Sequence, residues 1–200
     1  MRSPAGALAE LRAGNHRFVT GTRIHPNQDA EHRAAIADGQ TPFAVIFGCS
    51  DSRLAAEIIF DRGLGDLFVV RTVGHTVGTE VLGSLEYAVT VLETPLVVVL
   101  GHNSCGAVRA ARDAEAGGEL PGGHLREVVQ AVVPSVRLAK DQGIDDVDGT
   151  VDIHTQRTVD QLLSQSEALA SAVASGRCAV VGMSYRISAG EVRTITDKPE

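Results

Sequence analysis

Three short runs of apolar, largely β-branched residues, each closed by glycine, most constrain what this chain can become. They are Ala44-Val45-Ile46-Phe47-Gly48, Leu96-Val97-Val98-Val99-Leu100-Gly101 and Cys178-Ala179-Val180-Val181-Gly182. None alternates apolar with polar residues, so each reads as a strand buried on both faces, as in a parallel sheet covered by helices. Asp66 to Arg71 reads as a further strand. Helical spacing fills the intervals. Val81, Leu82, Leu85, Ala88, Val89 and Leu92 recur on one face between Val77 and Leu92, and Leu125, Val128, Val129, Val132, Val133 and Val136 do so between His124 and Lys140. A long helix from Val151 to Ser175 buries Val159, Leu162, Leu163, Leu169 and Val173, with Gly176 as its C′ residue. The expected fold is α/β: a central, mostly parallel β-sheet of four to five strands flanked by helices, joined by right-handed crossovers. It should form one domain over residues 1–200, with a core of Val, Leu, Ile and Ala, because only 4% of residues are aromatic and none is tryptophan.

The remaining segments are read more coarsely. Ala5 to Val19 makes a modest amphipathic helix with Leu8, Leu11 and Phe18 on one side. It is too weakly apolar to join a core, so it is expected as an N-terminal helical arm lying on a partner subunit. Thr20 to Asp29 is loop, Ala30 to Ala37 and Leu54 to Phe60 are short helices, and a helix follows Cys105 to Ala116. Pro134 should kink or restart its helix. Asp145 to Thr150 reads as a charged loop, Ile187 to Ile195 as an edge strand or hairpin, and Asp197 to Glu200 as a frayed tail. A net charge of −7 argues against nucleic acid and anionic membranes as partners. No run approaches the roughly 20 apolar residues of a membrane span. The N-terminus lacks the apolar stretch of a signal peptide, and few cysteines fit a reducing compartment. A cytoplasmic location is the expectation.

The chemistry lies directly after two of the apolar runs. Cys49-Ser50-Asp51-Ser52-Arg53 follows the first and His102-Asn103-Ser104-Cys105 the second. In open α/β sheets ligands bind beyond the carboxyl ends of the strands, so two cysteines and a histidine arrive at one sheet edge. Two thiolates and an imidazole suit zinc, and three protein ligands leave a fourth position open, as in catalytic sites. A Cys49–Cys105 disulfide is the alternative. Cys178, inside an apolar run, reads as a core filler. Asp51 could accept a hydrogen bond from zinc-bound hydroxide and orient it, or could itself ligate zinc. Arg53 could grip that carboxylate bidentately and hold it off the metal. The bland alternative is a surface ion pair worth under ~1 kcal/mol. Two thiolates already cancel the metal's charge, so activity should rise towards alkaline pH.

C-x-D-x-R followed some fifty residues later by H-x-x-C resembles the β-class carbonic anhydrases, particularly the actinobacterial type. The likeness runs through Gly14-Asn15-x-Arg17-Phe18, Gln40-Thr41-Pro42-Phe43, Gly65-Asp66-Leu67-Phe68-Val69-Val70-Arg71, Glu86-Tyr87-Ala88-Val89 and Pro121-Gly122-Gly123. It implies one zinc ion per chain on Cys49, His102 and Cys105, with carbon dioxide and bicarbonate as substrate and product. It further implies Gln40 as a substrate hydrogen-bonder, Phe68, Val73 and Tyr87 as pocket walls, and the Gly106 N–H as a donor to bicarbonate. Part of the pocket would come from a neighbouring subunit, hence a homodimer or higher homo-oligomer. The chain departs from the family pattern at Thr72, commonly asparagine, at Ala55, often proline, and at Ile46. Members with an allosteric bicarbonate site carry tryptophan at that last position, so such a site is not expected. Competing readings are a carbon disulfide or carbonyl sulfide hydrolase on the same scaffold, and a non-catalytic zinc-binding regulatory module with Asp51 as permanent fourth ligand. His75 is a candidate proton relay; His16, His25, His32, His124 and His154 read as solvated or capping residues.

Overall fold

Two strands buried along their whole length form the centre of the molecule, β1 (Ala44–Cys49) and β3 (Leu96–His102). The computed structural model describes residues 2–197. β2 (Leu67–Thr72) pairs with the outer side of β1, β4 (Ala179–Arg186) with the outer side of β3, and β5 (Glu191–Asp197) with β4, giving the order β2-β1-β3-β4-β5. The first four strands are parallel and β5 is antiparallel, as expected of an edge hairpin. β2 is the other edge, and its residues are half-buried rather than enclosed. Chain residues 198–200, most of the anticipated frayed tail, lie outside the described residues; Asp197 ends β5.

Alternate side chains of the buried strands build two cores, one on each face of the sheet. Val45, Phe47, Val97, Val99 and Val180 pack against Val81, Leu85, Ala88 and Val89 of α4 (Thr79–Thr90). The same core takes Val159 and Leu162 of α7 (Val147–Gln165), and Leu169 and Ala172 of α8 (Glu167–Ala174). On the other face Ile46, Val98, Leu100 and Met183 meet Ile59 of α3 (Ala56–Ile59) and Val108 and Ala111 of α5 (Gly106–Glu115). Val129, Val132 and Val136 of α6 (Leu125–Asp141) complete that layer. Each such aliphatic side chain, fully enclosed, contributes about 1.5–3 kcal/mol. Among the described residues no helix is long and apolar enough to cross a membrane.

Several expectations are corrected. The helix read over 151–175 is two helices. It starts earlier, at Val147, where Asp146 accepts from the Gly149 N–H, and it breaks at Ser166. The Ser166 hydroxyl caps the Leu169 N–H and donates to Glu86 Oε1 at 2.6 Å, so a polar contact with α4 outweighs helix continuity. α6 runs through Pro134 without a restart. The third glycine-closed run does not end at glycine; β4 continues to Arg186, with an irregular register at Gly182/Met183.

The N-terminal helix α1 (Pro4–Thr20) joins this chain's own core instead of standing off as an arm. Ala7 and Leu11 are fully buried, and Asn15, one turn further on, donates to the carbonyls of Ile59 and Gly190 and accepts from the Val192 N–H. A single asparagine thus satisfies three backbone groups that a wholly apolar stripe would leave unpaired. α1 is further fastened by Asp61, whose buried carboxylate accepts from Arg17 Nε at 2.5 Å and from the Ile24 and His25 N–H groups at 3.1 and 3.0 Å. The short α2 (Ala30–Ala35) follows that loop. Burial pushes the Asp61 carboxyl up, but Arg17 and the two amides outweigh it and hold the group below its ordinary value. Asp61→Ala should therefore lower stability by about 2–3 kcal/mol, read as a lower urea midpoint. The advantage of the native residue is complete above the ordinary aspartate range. It is lost as pH falls through the depressed folded-state value, so the two midpoints should converge in acid.

Candidate metal centre

The strand order places a topological switch between β1 and β3. From β1 the chain crosses to β2 on one side, then returns past β1 to β3 on the other. At such a switch the loops leaving neighbouring strands diverge and open a crevice. Gly48 pairs with Leu100, so Cys49 at the end of β1 and His102 at the end of β3 leave the sheet side by side. Cys105 joins them, and the ligand atoms of all three lie within 4.8 Å of one another. Between His102 and Cys105 the chain makes a tight turn with Ser104 at φ +57°. Asn103 N–H donates to the Tyr185 carbonyl, Asn103 Oδ1 accepts from Ile187 N–H, and Ser104 N–H donates to Asp148 Oδ1, so β4 and α7 hold the reversal in place. Cys105 then stands at the N-cap of α5.

The donor set fits a metal. His102 Nδ1 lies 2.9 Å from the Asn103 carbonyl, which can only accept, so Nδ1 carries the ring hydrogen. The other nitrogen, Nε2, is a buried acceptor without a hydrogen-bond partner beside the two sulfurs. Both thiols are free and buried. The hydrogen bond from Cys105 lowers the Cys49 thiol to about 4 against the opposing effect of burial, and the same bond together with burial raises Cys105. Two hydrogen-bonded sulfurs beside an imidazole nitrogen that has no other partner form a donor set for a thiophilic cation such as zinc. Cys178 is elsewhere in the core, its thiol pushed up to about 12 by burial, as a filler should be.

Beside the cluster, Asp51 is gripped by Arg53. Arg53 N–H and Nε reach Oδ1, both at 2.9 Å, and a terminal nitrogen reaches Oδ2 at 2.7 Å. This fork holds the Asp51 carboxyl well below the usual carboxylate range. Oδ2 remains 4.0 Å from His102 Nε2. Arg71, expected as the end of a strand and part of a family motif, steadies the whole turn by donating to the carbonyls of Cys49 and Asp51 at 2.9 and 2.6 Å.

The other anticipated residues divide. Val73 follows β2, whose last residue Thr72 pairs with Cys49, and is 45% exposed beside the cluster. Gly106 opens α5 next to Cys105, where a first-turn N–H has no helical partner. Gln40 lies before β1, at the opposite edge of the sheet, roughly 17–20 Å of strand away. Phe68 pairs with Val45 and packs on Tyr87 with ring centroids 6.3 Å apart, also towards that far edge. Within one chain these three are not brought to the metal ligands. Two histidines are corrected. His75 is fully buried at φ +41° with neither ring nitrogen partnered, and burial drives it well below its ordinary pKa, which does not suit a proton relay to solvent. His154 is buried as well, not solvated. Neither fact has a local signal, since both follow from how α6 and α7 close over the turn after β2.

Comparison with known proteins agrees with this geometry. The carbonic anhydrase family model matches residues 44–192. The chain is 54% identical over 188 residues to carbonic anhydrase 2 of Mycobacterium tuberculosis, covering 94% of this chain and 91% of that one. It is 50% identical over 190 residues to a carbonic anhydrase of Mycolicibacterium smegmatis, covering 95% and 92%. Among solved structures, a Coccomyxa β-carbonic anhydrase in complex with acetazolamide superposes with a TM-score of 0.72 at 25% identity, covering 83% of this chain and 77% of that one. The metal reading makes a direct prediction. Elemental analysis should find about one zinc per chain in freshly purified protein, nearly none in Cys49→Ser or Cys105→Ser, and an undiminished amount in Cys178→Ala. Metal-free native protein would refute it.

Proposed function

Because the chain belongs to the β-class carbonic anhydrase family, we propose that it catalyses the reversible hydration of carbon dioxide to bicarbonate and a proton at a zinc ion held by Cys49, His102 and Cys105. The observation that carries the reading is the Asp51–Arg53 fork standing beside three buried ligand atoms at a sheet switch point. When bound, zinc supplies Lewis acidity that brings the pKa of a water down from about 15.7 towards neutrality. The protein's residues do the rest.

Cys49 and Cys105 offset the cation's charge, so acidification is weaker than with three neutral ligands and activity rises towards alkaline pH. Asp51, kept ionised by Arg53, accepts a hydrogen bond from the attacking water and turns its lone pair towards the carbon. The Gly106 N–H, at a helix N-terminus, donates to the anionic product oxygen. Val73 offers an apolar wall to an apolar substrate. Gln40, Phe68 and Tyr87 serve such a pocket only across an interface with a second copy, which makes the active form a homodimer or higher homo-oligomer. Both Asp51 oxygens are engaged by Arg53, which favours a catalytic centre over a regulatory module in which Asp51 is a permanent ligand.

The fork also provides a gate. Arg53 and a metal held by Cys49, His102 and Cys105 would compete for the Asp51 carboxylate; with Asp51 on Arg53, a water would take the vacated position, and its ionisation would give up one proton. Rising pH therefore favours the open arrangement by up to tenfold per unit, about 1.4 kcal/mol. Stopped-flow assays should show carbon dioxide hydration with little turnover of carbon disulfide or carbonyl sulfide. Arg53→Ala should move the pH–rate curve to higher pH. Asp51→Asn should flatten the gate while lowering kcat by on the order of 10²-fold. Turnover of a sulfur substrate without carbon dioxide hydration would overturn the substrate assignment, and an unshifted Arg53→Ala curve would overturn the gate.

A further inference from the structure

Behind Cys49 a buried line of hydrogen bonds crosses from the outer helices to the ligand sulfur. Ser135 of α6 and His154 of α7 are both enclosed, with Ser135 Oγ 2.8 Å from His154 Nδ1. His154 Nε2 lies 2.8 Å from the carbonyl oxygen of Gly74, and the Gly74 N–H donates to Cys49 Sγ at 3.3 Å. The direction of each bond is determined by its partners. A carbonyl can only accept, so Nε2 carries the hydrogen. Burial lowers His154 to about 4, so the ring is neutral, Nδ1 is an acceptor, and the Ser135 hydroxyl donates to it.

Gly74 joins the two halves of this line. Its φ of +65° suits glycine, and a Cβ there would stand 2.6 Å from Ala107 Cβ on α5. A glycine this free needs both neighbouring peptide planes fixed from outside. His154 fixes the plane carrying the carbonyl, and with it the glycine conformation that aims the N–H at the sulfur, while α5 packs closely against the Cα. α7 is itself drawn in at Gly101 of β3, where a Cβ would meet Thr155 Oγ1 at 2.3 Å. The His75 ring lies against His154 with centroids 4.4 Å apart and the planes tilted by 39°.

We propose that His154 is a positioning residue of the metal centre, holding the Gly74 N–H on the Cys49 sulfur and so setting how strongly that thiolate donates to the ion. An N–H···S bond draws charge from the thiolate, and partners of this outer kind tune both affinity and the properties of the bound metal. The proposal rests on the reading of Cys49 as a metal ligand.

The test uses the full-length protein loaded with cobalt(II), whose near-ultraviolet sulfur-to-metal charge-transfer band reports thiolate donor strength, together with zinc affinity by chelator competition at fixed pH. His154→Phe keeps an aromatic ring on His75 but has no N–H. Its band should move to longer wavelength, and because a thiolate without its N–H is more basic and protons compete harder for it, zinc affinity at fixed pH should fall about 10–100-fold. His154→Gln places an amide N–H where Nε2 stood and should return both readouts towards the native values, whereas His154→Asn, whose amide falls short of Gly74, should not. A folded His154→Phe that binds one cobalt with native band and affinity overturns the proposal. If that variant does not fold, identical bands for His154→Gln and His154→Asn overturn it instead, and different bands in the stated order support it. Native protein that takes up neither metal would defeat the ligand reading itself, a separate result.

Discussion

Everything at the carboxyl edge of this sheet depends on the pairing of β1 with β3. Both strands are buried on both faces, so the register Gly48↔Leu100 is held by two hydrophobic cores at once. A slip of one residue would turn every side chain of a strand to the opposite face, exchanging Ile46 with Phe47 and Val98 with Val99 against helices shaped for the other. The cost of that exchange is what keeps Cys49 beside His102. The polar centre is thus positioned mainly by apolar packing. Its own hydrogen bonds, from Arg71, Asp148 and Asn103, trim a geometry already decided below it.

The site combines two electrostatic environments a few ångströms apart. The three ligand atoms are buried, and the hydrogen bond between the two sulfurs lowers the Cys49 thiol while it and burial raise Cys105. Asp51 and Arg53 sit at the mouth, where solvent screens them, yet their fork is bidentate and backed by the Arg53 N–H. Geometry rather than burial gives this pair its hold on the carboxylate. One carboxylate thus stays ionised and aimed while the groups behind it are dehydrated.

Much of this was legible in the residues. The central strands announce themselves by unbroken apolar runs, and the ligands are displayed immediately after two of them, so fold class and donor set both follow from local sequence. What escaped depends on distant partners. Ser166 breaks a good helical pattern because Glu86, on another helix, takes its hydroxyl. Leu8, Leu11 and Phe18 read as too weakly apolar to bring α1 into a core, yet Ala7 and Leu11 are buried and Asn15 completes the stripe by pairing with backbone from α3 and the β5 turn. His154 gives no sign of its burial, since its surroundings come from α6, Gly74 and His75 together. Gln40, Phe68 and Tyr87 carry a family pattern but belong, in space, to the other edge of the sheet.

The crossing of the chain from β1 out to β2 and back to β3 has a consequence in time. On a ribosome adding roughly 5–20 residues per second, Cys49 emerges several seconds before His102 and Cys105. During that interval it is a lone thiol on a strand whose partner β3 has not been made. A cation captured then would be held by one sulfur and readily lost, whereas after β3 docks it meets three donors together. The order of strands would therefore delay capture of a metal by Cys49, His102 and Cys105 until the central pair has formed, and would make occupancy a mark of chains that have already folded past that point.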